Sequence, residues 1–142
     1  MKYISTSLSE NSEIAKKIIK EIGEKKIIAI DAPMGSGKTT LIKEIIKHLS
    51  PDDFLGSPTY SIANEYRTNN KESLCHLDLY RIKNIEELYD IGIDNYLENF
   101  RYCFIEWPEK SIPFFPNNVF WLYISVEEDQ SRTIETKNDH KS

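Results

Sequence analysis

At 142 residues and 39% hydrophobic side chains, the chain has one domain's length, enough for a single core and too short for two. Its formal charge is −5, with 14 Lys and 4 Arg scattered rather than gathered in a basic block, which argues against autonomous binding of DNA or RNA. No stretch approaches the ~20 apolar residues that cross a bilayer, and "MKYISTSLSE" lacks the apolar core of a signal peptide, so a soluble cytoplasmic protein with no membrane contact is expected.

Residues 2–5 read as a short strand. "SENSEIAKKIIKEI", residues 9–22, places Ile14, Ala15, Ile18, Ile19 and Ile22 at helical spacing behind serine caps. Residues 25–31 form a buried strand around Ile27-Ile28-Ala29-Ile30, and residues 39–49 a helix stopped by Pro51. Residues 60–67 and 73–79 read as an antiparallel pair around the polar loop "TNNKE". "NIEELYDIGIDNYLENF", residues 84–100, gives one or two short helices interrupted near Gly92. "RYCFIEW", residues 101–107, is another buried strand, "PFFPNN" a loop, and residues 119–126 a further strand. Residues 132–136 add an edge strand before a tail expected to fray. Cys75 and Cys103 lie inside strand-like runs without metal-like spacing and read as small buried hydrophobes. Strands alternating with helices indicate an α/β fold of three layers, a central mixed β-sheet flanked by helices.

The turn between the strand at 25–31 and its helix carries the chemistry. Ala32-Pro33-Met34-Gly35-Ser36-Gly37-Lys38-Thr39 fits the P-loop pattern with Ala at its first position. Gly35 and Gly37 let the backbone curl so that successive N–H groups face an anion, and the following helix aims its positive end at the same place. The phosphate-binding set is therefore Met34, Gly35, Ser36, Gly37, Lys38, Thr39 and Thr40. Lys38 reaches the β/γ-phosphates, and the Thr39 hydroxyl is placed to ligate Mg²⁺. The fold class is thus a P-loop NTPase, with one ATPase domain over residues 1–130 and a polar tail over 131–142. Asn70-Lys71-Glu72-Ser73 lacks the final Asp of a guanine-reading motif, which leaves ATP by elimination.

A P-loop also needs a carboxylate at the end of a neighbouring strand. "YCFIE" ends in Glu106 and "LCHLD" in Asp78, with His76 read as packed in the sheet. Glu106 is assigned to Mg²⁺, directly or through water, and Asp78 to the γ-phosphate as base or water-orienting group; the reverse assignment stays open. Thr59, in "GSPTYS", stands where switch threonines meet metal or γ-phosphate. Trp107 is placed to shield the site from water. With the P-loop alone, a small-molecule kinase and a nucleotide-gated binding module remain alternatives to an ATPase.

Four blocks in order, "APMGSGKTT", "SPTYSIANEY", "HLDLYRIKNIEELYDIGIDNYL" and "FIEWPEK", resemble the TsaE (formerly YjeE) family of small bacterial ATPases of tRNA threonylcarbamoyladenosine biosynthesis. The resemblance runs from about residue 8 to 126, and the chain departs from it at Ala32 and Pro33, where the family usually has Gly and an acidic residue. It implies a P-loop α/β domain that binds ATP and Mg²⁺ and hydrolyses ATP weakly alone. It also implies action with the threonylcarbamoyl transferase and its paralogous partner (TsaD- and TsaB-type proteins), with tRNA contacted indirectly through that complex. ATP turnover in the family resets the complex rather than activating the substrate. Lys38, Thr39, Thr59, Asp78, Glu106 and Trp107 match the family's functional positions.

Overall fold

The structure, a computed structural model, describes residues 1–50, 63–68 and 70–138. Thr59 with its "GSPTYS" segment, and Pro51, lie outside the described residues. Strand β1 (Lys2–Ser5) passes through a 3-10 turn at Leu8–Glu10 into helix α1 (Asn11–Ile22). The expected serine cap is absent: Glu10 holds the N-cap position with no side-chain capping bond, because the tight turn already feeds the chain into the helix. Its carboxylate accepts instead from the Thr6 amide, at 3.2 Å, and from the Thr6 hydroxyl.

Then follow β2 (Ile27–Asp31), α2 (Lys38–Leu49), β3 (Ala63–Arg67), β4 (Ser73–Asp78), α3 (Ile85–Ile91), α4 (Ile93–Asn99), β5 (Tyr102–Glu106), β6 (Val119–Val126) and β7 (Arg132–Lys137). Gly92, left-handed at φ 74°, ends α3 and starts α4, as the sequence suggests. A 3-10 turn over Pro108–Phe114 takes up the first part of the loop expected at "PFFPNN".

The strands form one seven-stranded sheet in the order β1-β7-β6-β2-β5-β4-β3. The central four, β6, β2, β5 and β4, run parallel, while β7, β1 and β3 pair antiparallel. The 132–136 segment is not an edge strand: β7 lies between β1 and β6. It reads as an edge because Ile134 faces the core while Thr133 and Glu135 on its other side stay partly open to solvent.

Period-two alternation assigns the two faces. Ile28, Ile30, Phe104, Phe120 and Leu122 pack against α1 and α2 through Ile14, Ile18, Ile42 and Ile45. Ile27, Ala29, Cys103, Ile105 and Trp121 pack against α3 and α4 through Leu88, Ile93 and Leu97. Each such buried aliphatic contributes about 1.5–3 kcal/mol, so the β2 core, with both faces covered, firmly anchors the turn that follows it. Among the described residues no helix is long and apolar enough to cross a membrane.

Candidate functional site

Three chain segments meet at the carboxyl ends of β2, β4 and β5. Register sets their heights: Glu106 stands opposite Ile30 on β2 and Asp78 on β4. The carboxylates therefore end their strands beside the loop that leaves β2, the crevice where open α/β sheets hold ligands.

In that loop Gly35 and Gly37 both take left-handed backbone, at φ 78° and 85°, a conformation that other residues adopt only with strain. Gly37 is the N-cap of α2 and supplies no side-chain bond, so no cap at that position competes with an anion for the first-turn amides of the helix. The departures at Ala32 and Pro33 act through their carbonyls. Ala32 O accepts from Lys38 Nζ at 3.1 Å, and Pro33 O accepts from the Ser36 amide at 3.3 Å. A carbonyl is common to every residue type, so neither side chain is needed for these two bonds.

Lys38 is only 7% exposed. Its ammonium sits 3.5 Å from the centre of the Trp107 ring, a cation–π contact. Trp107 takes left-handed backbone at φ 57°, which turns the chain back after β5 and brings the indole over Lys38. Such a conformation costs a non-glycine residue about 1–2 kcal/mol and is characteristic of functional sites. Burial lowers the Lys38 pKa, partly offset by the negative charges of Glu106, Asp78, Glu109 and Asp31.

Glu106 is 2% exposed and donors meet both of its oxygens. Thr39 Oγ1 donates to Oε1 at 2.8 Å, and His76 Nε2 lies 2.6 Å from Oε2. Burial pushes its pKa up, but the His76 bond and charge, the Thr39 bond and Lys38 together hold it below the ordinary carboxylate value. This fixes the sign of a pH effect. The unfolded chain takes up the proton near 4.5 while the folded carboxylate resists it, so its stabilising contribution is complete above that value and fades as pH falls below it. In EDTA, Glu106→Gln is expected to show a flatter acid limb in Tm against pH than the unsubstituted protein; parallel limbs would mean the ionised form is not favoured by folding.

Asp78 is exposed and lines the same cleft, its Oδ1 accepting from the Tyr80 amide at 3.1 Å. The cleft, of about 330 Å³, is bounded by Met34, Gly35, Gly37, Lys38, Thr39, Thr40, Asp78, Tyr80, Glu106 and Trp107. Every phosphate-loop position expected from the sequence except Ser36 thus lines it, together with both carboxylates. Tyr80 leans on Trp107 with ring centres 5.1 Å apart. The donor set is hard oxygen, one hydroxyl and two carboxylates, which suits Mg²⁺. Among the described residues no group of three or more His, Cys, Asp or Glu is arranged to hold a metal alone. That too fits Mg²⁺, which takes one or two protein groups and completes its shell with phosphate and water.

Ser36 faces a second cavity, of about 220 Å³, behind the loop. Ser5, Thr6, Ser7, Asn11, Gln130 and Arg132 also line it, and it meets the first cleft at Gly37 and Thr40. Ser36 Oγ is buried there without a hydrogen-bond partner among the described residues. Arg132 Nε donates to Ser36 O at 2.8 Å and ties β7 to the loop. Sequence reading missed this cavity, since its walls come from both ends of the chain. His76 packs in the sheet, as its apolar run suggests, and its bond to Glu106 has no signal in the sequence.

The family model described as "Threonylcarbamoyl adenosine biosynthesis protein TsaE" matches residues 5–134. A Haemophilus influenzae tRNA threonylcarbamoyladenosine biosynthesis protein TsaE is 33% identical over 87% of the chain and 77% of its own length. The Rickettsia bellii protein of that name is 28% identical over 96% of the chain and 94% of its own length. The Rickettsia felis protein is 35% identical over 70% of the chain, and the match spans 58% of that relative. The crystal structure of Bacillus subtilus YdiB superposes with TM-score 0.74 and 23% identity, covering 98% of the chain and 86% of that structure, which establishes a common fold.

Proposed function

The chain belongs to the TsaE family of threonylcarbamoyl adenosine biosynthesis proteins, and from that premise we propose that it is a cytoplasmic Mg²⁺-dependent ATPase. Its turnover resets the threonylcarbamoyl transferase and its paralogous partner as they modify tRNA, which it meets only through them. One observation carries the reading: Lys38, Thr39 and Glu106 converge beside the glycine-rich loop, with Asp78 at the same cleft.

The loop amides and Lys38 bind the phosphates and gather their negative charge. Thr39 and Glu106 would hold Mg²⁺, which would neutralise phosphate charge. Asp78, being exposed, orients or deprotonates the attacking water. The nucleoside would enter the cavity behind Ser36, whose hydroxyl, without a partner among the described residues, offers it a hydrogen bond. Trp107 and Tyr80 exclude bulk water from the phosphate end.

A γ-phosphate draws Lys38 off the Trp107 ring. ATP addition is therefore expected to change indole emission, with Trp107→Phe abolishing the change and the buried Trp121 giving a constant background. Emission that responds equally in Trp107→Phe would mean that Lys38 keeps its place. The function itself is tested by ATP hydrolysis with and without the transferase pair and tRNA. Slow turnover alone and faster turnover with the pair is the expected result; no association with the pair in any nucleotide state would reject the reading.

A further inference from the structure

We propose that His76 is a positioning residue that holds the Glu106 carboxylate in register for the magnesium ion, an inference resting on the reading of the cleft as a Mg²⁺–nucleotide site. The two oxygens of Glu106 are held by different parts of the fold, Oε1 by Thr39 of α2 and Oε2 by His76 of β4. The Thr39 hydroxyl oxygen would offer a lone pair to the cation, and its bond to Oε1 leaves the second carboxylate oxygen to be fixed from elsewhere. The His76 contact engages the other oxygen and persists as the tether.

Strand geometry explains why this residue does it. His76 and Asp78 are two apart on β4 and share the face that looks towards α2, while Phe104 and Glu106 stand opposite them on β5. The imidazole thus lies one pair below the strand ends and reaches up to Glu106 from inside the sheet. At 7% and 2% exposure, water has little access to replace a lost donor. The fold itself does not ask for histidine there: its strand neighbours Leu74, Cys75 and Leu77 are fully buried, and Phe104 opposite is apolar. A leucine would pack at that position but would leave the buried Glu106 Oε2 without its donor, so the histidine serves the carboxylate rather than the core. Mg²⁺ demands near-ideal octahedral geometry, so a carboxylate free to change rotamer is a poorer ligand.

The test compares the unsubstituted protein with His76→Leu and His76→Gln, the amide of Gln standing near the place of Nε2. Mn²⁺ is titrated by electron paramagnetic resonance in the presence of a non-hydrolysable ATP analogue, and affinity for the analogue is measured separately in EDTA. Loss of a group that orients a ligand typically weakens metal binding by about 10–100-fold, and that shift in half-saturating Mn²⁺ is expected for His76→Leu. Affinity in EDTA should stay unchanged, and His76→Gln should recover most of the loss. If His76→Leu does not fold, His76→Asn, whose amide falls short of Glu106, takes its place against His76→Gln. Unchanged Mn²⁺ saturation in a folded variant lacking the donor overturns the proposal. So does an equal loss in His76→Gln and in EDTA, which would mark a purely structural role. Absence of Mn²⁺-dependent nucleotide binding in the unsubstituted protein would overturn the cleft reading along with it, whereas normal binding in every variant overturns this inference alone.

Discussion

Lys38→Ala is expected to weaken ATP binding by roughly 100-fold or more, as read by calorimetry. Charge-assisted hydrogen bonds contribute about 1.5–3 kcal/mol each, and each 1.4 kcal/mol is a factor of ten in affinity. Lys38 is the one buried cation aimed at the cleft among the described residues, so no neighbour takes its place. The loss will not be a folding defect. Lys38 is desolvated over Trp107 and its pKa is lowered, which means that burial disfavours its charge. Lys38→Met, which keeps the stem and removes the ammonium, should accordingly have a nucleotide-free Tm no lower than the unsubstituted protein. Unchanged ATP affinity in Lys38→Ala would remove the phosphate site from this loop.

Glu106→Ala should lower Mg²⁺-dependent turnover by about 10²–10³-fold, the scale on which loss of one preorganised electrostatic group acts. Affinity for ATP without metal should fall little, because Glu106 faces Thr39 rather than the loop amides. Stability changes as well. The substitution leaves His76 Nε2 buried without its acceptor, which typically costs about 1–3 kcal/mol. Turnover measured across a Mg²⁺ titration, beside a thermal melt, separates the two effects. Full turnover in a folded Glu106→Ala protein would transfer the metal role to Asp78, the assignment that the sequence left open.

The two strand-end acids look alike in the sequence, each closing an apolar run. The sheet distinguishes them. Glu106 ends β5, flanked on both sides by β2 and β4, and is buried against Thr39 and His76. Asp78 ends β4, whose outer neighbour β3 pairs with it only as far as Leu77 among the described residues, and stays exposed. Neighbouring strands, not local composition, set burial, and burial sets which carboxylate is held rigidly.

Read alone, the chain specified its strands and helices, the glycine-rich turn, the break at Gly92 and the order of the four family blocks. Those features depend on side-chain periodicity and on backbone conformations that few residues tolerate, both of which operate over a handful of neighbouring positions. Tertiary structure alone decided that β7 lies inside the sheet, that Arg132 grips the Ser36 carbonyl, that Trp107 covers Lys38 and that His76 tethers Glu106. These contacts join residues 30 to 96 positions apart in the two hydrogen bonds. They arise from strand order and register, which form only when the whole sheet closes around its two cores.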